Sequence, residues 1–501
     1  MKKSRGRGII LSYGFIFCNM ICGLFLSSFL LRQLGDTEYG LYQTISAFAT
    51  YLVMLEFGTG TVMCRNIAVC RNSEDKDRLK NNISTIWYLT VFLSLVIVAV
   101  SAVFYINIGN IYANTMTAGQ IASGKNVFIV ITAFLVFSFY TQTANGILMG
   151  FEDYTFSQVM KLVKLISRTA LLVALILFKP YAILIALVDA GIGLIVLVVT
   201  LIHCIKNYGV RFRLRDFDKK ILWDSAPLCL ALVIQSFVNQ ANNSVDKFLI
   251  GIMMSIESVA VYSVAQYIYQ VFSSVTTTPI SMYLPKVAKD ITSGYEGKQL
   301  TDSLVQPCRL VVLLGGMIVG GFFAVGKQFI MLVYGTDKQE AWLYALIIMI
   351  PMFINMSNGI LINVLDVLKK RLMRSCVLFF TTVLNIVLSI LLMKAWGMIG
   401  AVIATAVSTF IGQILVMNIY YAKKINIKVM YLFGRIYSGI LPIIIIASVA
   451  SYFVAKFISN NTLSMLTGGA LFLFVTLICC MIFGFNDYEK NLVKRLLKIK
   501  K

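Results

Sequence analysis

The 501-residue sequence has few charged residues and even fewer acidic ones. Only 13% of its residues are charged, whereas 59% are hydrophobic, and the mean hydropathy is +0.83. Because about a quarter of the residues in a soluble domain are charged, this composition excludes a soluble globular protein. A single histidine and the lack of any Cys-x-x-Cys pair argue against a zinc site. We therefore interpret the ten cysteines as small buried hydrophobes and expect no metal and no other cofactor.

The sequence also lacks a Walker A phosphate-binding loop and a large hydrophilic insertion. Because the Walker A loop is missing, nothing in the sequence supports ATP hydrolysis by this chain. A membrane polysaccharide polymerase or ligase would be expected to present acids, histidine or arginine on a sizeable outward loop. The longest loop predicted to face outward, about 106–125, contains neither an acid nor a histidine. We predict that the protein is not an enzyme, with a membrane polymerase as the less favoured alternative.

The sequence contains many long apolar runs. An apolar run of about 20 residues is enough to cross a bilayer as a helix. The first run passes Leu31 without a small-residue cleavage site, so it is predicted to be an uncleaved span rather than a signal peptide. The runs predict an all-α polytopic membrane protein with about fourteen transmembrane helices. They lie at about 8–31, 41–63, 83–105, 127–150, 157–178, 181–203, 221–245, 259–283, 307–333, 341–368, 372–393, 397–421, 436–458 and 463–484.

Positive charge alternates between successive connections of these predicted helices. Of the 44 Lys and Arg residues, 36 lie at the two termini and in every second connection or at its edges, and the remaining eight lie on the other side. Cytoplasmic loops of membrane proteins carry such an excess. The pattern predicts an even number of crossings with both termini in the cytoplasm. It also explains the net charge of +22 without nucleic acid as a partner.

A weak internal repeat suggests two related halves. Residues 34–42 join the first two helices and residues 254–262 join the seventh and eighth, and both segments contain a Glu and end in Tyr. An offset of six helices is typical of transporters built from two bundles. The predicted organisation is a six-helix lobe at 1–205, a cytoplasmic linker at 206–220, a second six-helix lobe at 221–425, and two additional helices with a basic tail at 426–501.

Three segments carry a resemblance to a known family. They are residues 32–42 (Arg-Gln-Leu-Gly-Asp-Thr-Glu-Tyr-Gly-Leu-Tyr), residues 246–251 (Asp-Lys-Phe-Leu-Ile-Gly), and Asn385 together with residues 396–405. In this order and spacing the sequence resembles the polysaccharide transporter family of oligosaccharide flippases. The wider superfamily also contains multidrug exporters and peptidoglycan-precursor flippases. In the first segment, Gly35 and Gly40 are predicted to permit a tight reversal between helices.

The resemblance implies two six-helix lobes around a central cavity, followed by two extra C-terminal helices. It implies movement, by alternating access, of undecaprenyl-pyrophosphate-linked oligosaccharide repeat units from the cytoplasmic to the outer leaflet of a bacterial or archaeal cytoplasmic membrane. Such units supply O-antigen, capsule or exopolysaccharide. Export of drugs or of another lipid precursor is the alternative within the superfamily. Membrane lipids, a coupling proton or sodium ion, and polysaccharide assembly proteins are the further expected partners.

The fifth predicted helix carries a row of cations. Lys161, Lys164 and Arg168 lie at positions i, i+3 and i+7, and therefore on one helix face. Arg168 lies about eleven residues, or roughly 16 Å, into the helix, close to the midplane of a roughly 30 Å hydrocarbon core. Lys161 is shallow enough to extend to the headgroups. The row is a candidate site for the pyrophosphate of the cargo, and pairing of Arg168 with an acid is the alternative.

Acids inside the predicted helices are candidates for coupling or for structural ion pairs. Glu56 and Asp189 lie deepest in the first lobe, and Asp366 lies in the second. Glu56 or Asp189 would pair with Arg168, carry a coupling proton, or lie near an ion.

The seventh predicted helix ends in an amide-rich stretch that no lipid-facing surface would display. Asn239, Gln240 and Asn243 are candidates for binding sugar hydroxyls, and hydrogen bonds between helices are the alternative. The same two interpretations apply to Gln142 and Asn145, and to the asparagines at 355, 358 and 363.

Overall fold

The computed structural model describes residues 2–56, 58–73, 76–213, 216–368, 370–487 and 489–490. Side chains in these ranges are described except at residues 2–13, 16–17, 50, 54, 68–69, 71–73, 76, 227–228, 230–244, 278–279, 281–282, 284–285, 366 and 371–372. Every regular element within the described ranges is helical. The all-α fold is confirmed. The chain divides into two compact units, Met1–Ala260 and Val261–Lys501.

Unit 1 contains seven long or medium helices and the start of an eighth. A 3₁₀ turn at Val53–Glu56 follows the first helix. The helices are α1 (Lys2–Leu52), α2 (Thr59–Ser73), α3 (Lys76–Ile111), α4 (Ala118–Gly150), α5 (Tyr154–Phe178), α6 (Ala182–Tyr208), α7 (Lys219–Met253) and α8 (Ile256–Met282), which continues into unit 2.

Unit 2 contains the rest of α8 and ten further helices. A 3₁₀ turn at Thr336–Lys338 precedes α11, and π-helical segments at Phe410–Val416 and Cys480–Gly484 follow α14 and α18. The helices are α9 (Leu284–Thr292), α10 (Gly297–Val333), α11 (Glu340–Ser357), α12 (Leu361–Val367), α13 (Arg371–Trp396), α14 (Met398–Thr409), α15 (Met417–Lys424), α16 (Val429–Tyr437), α17 (Ile440–Phe457) and α18 (Asn461–Cys479).

Ten helical segments among the described residues are long and apolar enough to cross a membrane. One of these segments, Cys18–Ala49, includes parts of the first two predicted spans, because α1 continues past a kink at Gly35 as far as Leu52. Helix α5 is not among the ten, since its three cations interrupt its apolar character. Helices α7 and α8 include residues whose side chains are not described. The protein is a multi-pass membrane protein, and the count of fourteen crossings stays a prediction, as do the predicted lobe boundaries.

The two glycines of the first family segment have different roles. Gly35 has a φ of 73° and a ψ of 174°, which breaks the helix as the predicted reversal requires. Gly40, in contrast, lies in regular helix, so its predicted role in a reversal is wrong. A side chain at Gly40 would collide with the backbone of Ile256, at the start of α8. Gly40 therefore permits close packing of α1 against α8.

The second family segment contacts α1 directly after the end of the first one, within unit 1. Lys247 of α7 donates from its Nζ to Oε1 of Gln43 in α1 at 3.2 Å. A side chain at Gly251 would collide with that of Thr44, so α1 and α7 approach closely there as well. The family segments thus mark where α1 packs against α7 and α8.

Candidate functional site

Helix α5 begins and ends at residues whose chemistry suits those positions. Asp153 caps its N-terminus, because Oδ1 of Asp153 accepts a hydrogen bond from the Phe156 backbone N–H at 3.2 Å. The helix ends before Lys179 and Pro180, and proline cannot continue a helix. These two ends fix the register of α5, and with it the depth of the three cations.

A polar cavity of about 400 Å³ lies beside α5 in unit 1, and we call it the cation cavity. Lys161, Lys164 and Arg168 all line it, so the three cations predicted to share a face do share one. Helix α4 contributes the predicted amides Gln142 and Asn145. The other lining residues are Phe15, Asn19, Ser138, Thr141, Ser157, Met160, Leu165 and Val196.

Arg168 forms a bidentate ion pair with Asp189 of α6. Nε of Arg168 donates to Oδ1 of Asp189, and Nη2 donates to Oδ2 at 3.0 Å. The hydroxyl of Tyr42, from α1, donates to the same Oδ2 at 3.3 Å. Asp189 therefore connects α1, α5 and α6. The ion-pair alternative for Arg168 is therefore present in the structure, and the side chain also lines the cavity, while its binding of cargo stays a prediction.

The other two cations differ from Arg168 in having no acid in direct contact among the described residues. Nζ of Lys164 lies 5.2 Å from the ring centroid of Phe134, a cation–π distance. Within the described part of the chain, neither Lys164 nor Lys161 forms an ion pair. Because Asp189 is bound to Arg168 and no acid is among the described residues that line the cation cavity, the lining carries a net positive charge from these two lysines.

The remaining acids and amides of the predicted site lie elsewhere or outside the described residues. Glu56 ends the 3₁₀ turn after α1 and is partly buried, and the structure pairs Arg168 with Asp189 rather than with Glu56. The side chains of Asn239, Gln240, Asn243 and Asp366 lie outside the described residues, although their backbone is helical. Among the described residues no cluster of His, Cys, Asp and Glu could hold a metal ion.

The predicted amides of unit 2 make hydrogen bonds between helical segments. Nδ2 of Asn355 donates to Oε1 of Gln413 at 2.8 Å, and Nδ2 of Asn358 donates to Oδ1 of Asn418 at 3.1 Å. Nδ2 of Asn363 donates to the backbone carbonyl of Ile280 at 2.7 Å. These contacts match the structural alternative for asparagines 355, 358 and 363. Gln413, in the π-helical segment, has no counterpart in the sequence predictions.

The single histidine belongs to a network that sequence reasoning missed. Nε2 of His203 lies 2.9 Å from Oδ2 of Asp153, and the hydroxyl of Tyr208 donates to the same oxygen at 2.9 Å. The imidazole also stacks on Phe156, with 3.6 Å between ring centroids. Asp153 thus links the start of α5 to the end of α6. The available signal was the position of Asp153 directly before an amphipathic helix.

Solved transporters share this fold. The chain superposes on the lipid II flippase MurJ in an inward closed conformation, with a TM-score of 0.76, 15% identity, and coverage of 97% of this chain and 100% of that one. An inward-facing multidrug resistance transporter of the MATE family, in the MOP superfamily, matches with a TM-score of 0.61, 16% identity and coverage of 81% and 96%. No curated protein sequence matches the chain.

A third match is a MOP superfamily transporter from Pyrococcus furiosus. It has a TM-score of 0.50, 16% identity and coverage of 84% of this chain and 97% of that one. Its binding pocket is described as having reverse polarity, which suggests a different function for that protein. At these identities the matches establish the fold alone, which is that of flippases and multidrug transporters.

A family model that matches more than half of the chain identifies the family. The model of the family described as "Polysaccharide biosynthesis protein" matches residues 6–289, which is over half of the chain. That range includes the first two family segments and all residues that line the cation cavity. The chain therefore belongs to the polysaccharide biosynthesis protein family, as its motifs implied.

Proposed function

We propose that the protein moves lipid-linked oligosaccharide repeat units across the cytoplasmic membrane. The cargo is joined to undecaprenyl pyrophosphate and passes from the cytoplasmic to the outer leaflet for the synthesis of a surface polysaccharide such as O-antigen, capsule or exopolysaccharide. The observation that carries the proposal is the cation cavity, a positive, polar space beside a helix predicted to cross the membrane, in a chain of this family.

The charge of the cavity suits a pyrophosphate. An unneeded lysine deep inside a membrane costs about 3 kcal/mol, so a cavity lined by Lys164 and the shallower Lys161 suits an anionic partner. The ammonium groups of Lys161 and Lys164 would bind phosphate oxygens directly. Arg168, held by Asp189, would present its remaining guanidinium surface and keep the face of α5 oriented.

The size and the neutral lining of the cavity suit the first part of the glycan. A volume of about 400 Å³ lies at the lower end of the range for small-molecule sites, about 300–1,000 Å³. Gln142 and Asn145 offer both donors and acceptors, as sugar hydroxyls require. The polyprenyl chain and the later sugars would then lie outside this cavity, the former in the bilayer.

The remaining parts of the proposal concern orientation and energy. We propose that both termini face the cytoplasm, in accord with the 36 cations on that side, and that two six-helix lobes alternate access to the cargo. Glu56 and Asp366 are proposed as coupling groups for a proton or sodium ion. Assembly proteins of the same polysaccharide are the proposed protein partners.

Substitution of the unpaired lysines tests the role of the cavity. We expect Lys164→Gln and Lys161→Gln each to reduce translocation of an undecaprenyl-pyrophosphate-linked glycan in proteoliposomes by about tenfold, because each removes one charge-assisted contact to phosphate. Lys125→Gln is the matched control, since Lys125 lies over the ring of Tyr105 and does not line the cavity. Equal rates for all three variants would contradict the proposal.

Cells that lack the protein give an independent test. We expect repeat units to be made and to accumulate on the cytoplasmic leaflet while glycosyl transfer continues. Loss of polymer length in units that had already crossed would instead favour a polymerase.

Drug export is the second candidate, supported by the fold shared with the MATE transporter. An exporter of organic cations needs uncompensated acids in its cavity, whereas no acid is among the described lining residues of this one and Asp189 is bound to Arg168. We therefore expect cells that express the chain to export a cationic dye no faster than cells with an empty vector. Export abolished by Asp189→Asn would favour the exporter instead.

A further inference from the structure

Helix α16 is a short amphipathic helix of unit 2. Its buried face consists of Val429, Leu432 and Ile436, whereas Met430 is 83% exposed. The connection that contains most of the helix, residues 423–435, carries four cations, and this charge predicts a cytoplasmic location. Amphipathic helices with basic residues are typical of the boundary between lipid headgroups and acyl chains.

Two cations meet on one aromatic ring of this helix. Nζ of Lys298, in the first turn of α10, lies 5.7 Å from the ring centroid of Tyr431, and Cζ of Arg435 lies 5.9 Å from the same centroid. Both cations are exposed, and we call them the surface cation pair. Two like charges at one ring repel each other, and a bound anion would remove that cost.

Neither member of the surface cation pair forms an ion pair in the described part of the chain. Glu296 and Asp302, at the same end of α10, are exposed and are not paired with either cation. Glu489 is buried in an ion pair of its own. Asp366, whose side chain is not described, lies on α12, which packs against α9 and α13. Residues 491–501, outside the description, contain five cations and no acid. The two positive charges are therefore open to an external anion.

An apolar groove of about 510 Å³ begins directly after the arginine of this pair. Oγ of Ser438, at the mouth of the groove, donates to the Arg435 carbonyl at 3.3 Å. The groove continues along the first turns of α17, where Ile445 and Ile446 are 53% and 67% exposed, so it is open to lipid. Its lining residues are Tyr437, Ser438, Leu441, Pro442, Ile445 and Ile446.

A phospholipid has the matching arrangement of charge and apolar chain. Ammonium and guanidinium groups form charge-assisted hydrogen bonds with phosphate oxygens. A zwitterionic headgroup brings a cation of its own, so an anionic headgroup fits the surface cation pair better. We infer that this part of unit 2 binds an anionic phospholipid of the cytoplasmic leaflet. Its phosphate lies at Lys298 and Arg435, and one acyl chain lies in the groove along α17.

Lipid retention by the purified full chain tests the inference. The chain is incubated in detergent with equal amounts of phosphatidylglycerol and phosphatidylcholine, and native mass spectrometry counts the lipids that stay bound. We expect the parent protein to retain phosphatidylglycerol preferentially. Lys298→Gln and Arg435→Gln should each reduce that retention by about fivefold, because each removes one cation at the membrane surface. Retention of phosphatidylcholine should not change.

Two further variants separate the parts of the site. Leu441→Trp fills the groove without changing any charge, and we expect it to reduce retention of phosphatidylglycerol as well. Lys289→Gln is the matched control, an exposed lysine of α9 that does not lie over Tyr431. Since the substituted cations are exposed, their variants should melt in lipid-free detergent at the temperature of the parent protein.

Three results would overturn the inference. An equal loss for Arg435→Gln and Lys289→Gln would mean diffuse surface charge. Unchanged retention in a double variant of Lys298→Gln and Arg435→Gln would mean that the pair binds no lipid. Displacement of phosphatidylglycerol by an equal concentration of undecaprenyl phosphate would assign the groove to a polyprenyl chain. None of these results bears on the proposed function, which rests on the cation cavity of unit 1 and is measured by translocation.

Discussion

At the scale of single residues, Asp189 organises the site. It is 8% exposed and accepts hydrogen bonds from Arg168 and Tyr42. Its negative charge offsets that of Arg168, so the excess charge of the cavity resides on Lys161 and Lys164. We therefore expect the arginine to have a positioning role and the lysines to bind the anion.

The ion pair predicts a non-additive response to substitution of its two partners. Removing either partner leaves a buried charge unpaired, which typically costs about 3–5 kcal/mol and less where the pair is partly exposed. The Arg168 side chain is 28% exposed, so we expect Arg168→Ala and Asp189→Ala each to destabilise the protein by about 2 kcal/mol. The double variant should melt nearer to the parent than either single variant in detergent.

Transport assays distinguish a positioning role of Arg168 from direct contact with the cargo. If the residue only positions α5, the stable double variant should retain translocation, and Arg168→Lys should retain more than Arg168→Ala. A double variant that is stable yet inactive would mean that Arg168 itself contacts the cargo. Lys125→Gln again serves as the unaffected control.

At the scale of helices, close backbone approach joins the first family segment to a neighbouring helix. Helix α1 packs against the start of α8 at Gly40. We expect Gly40→Val to destabilise the protein by about 1–3 kcal/mol, because a branched side chain forces the two backbones apart. Gly14→Val is the comparison, since no atom lies within 4 Å of a Cβ added there. Equal melting temperatures would contradict the packing role.

Within unit 2, a buried arginine holds the last described residues against neighbouring helices. Arg309 of α10 donates to both carboxylate oxygens of Glu489, at 2.7 and 3.1 Å, and to the carbonyls of Gly484, Arg435 and Ser438. The side chains of Arg309 and Glu489 are 8% and 2% exposed. This one side chain connects α10 to α16, to the turn before α17 and to the C-terminal segment.

Removal of Arg309 should therefore release the C-terminal segment. We expect Arg309→Met to lower stability by about 3–5 kcal/mol, since Glu489 is left buried and unpaired. Limited proteolysis should then cleave near residues 485–490 sooner than in the parent protein. Lys298→Gln, an exposed cation of the same helix, is the control and should leave cleavage unchanged. Equal cleavage in both variants would show that the arginine does not hold the segment.

At the scale of the whole molecule, the distribution of cations predicts its orientation. We expect a fluorescent protein fused after Phe212 or Lys501 to be fluorescent in the cytoplasm, and alkaline phosphatase fused after Asn114 to be active outside. The physical reason is that loops rich in Lys and Arg stay on the cytoplasmic side. Alkaline phosphatase activity after Phe212, or an outward C-terminus, would contradict the even-numbered topology.

The site was only partly predictable from the sequence. The spacing of Lys161, Lys164 and Arg168 correctly predicted a shared face, because helix geometry alone determines it. The choice of Asp189 over Glu56 as the partner of Arg168 was left open. The sequence did contain a signal that favours Asp189. Arg168 lies eleven residues before Lys179, and Asp189 lies eight residues after Tyr181. The two residues therefore lie at similar depths on the two arms of a helical hairpin.

Sequence alone determined the all-helical membrane architecture, the family and the cation face of α5, because apolar runs, motif order and helical spacing are local properties. Only the tertiary structure decided that Tyr42 joins Arg168 on Asp189, that Gly40 packs against Ile256, and that Arg309 holds Glu489. These contacts depend on how each helix is rotated about its axis. In a membrane the lipid-facing and buried sides are both apolar, so hydropathy does not reveal that rotation. The packing of neighbouring helices in the tertiary structure reveals the rotation of each helix.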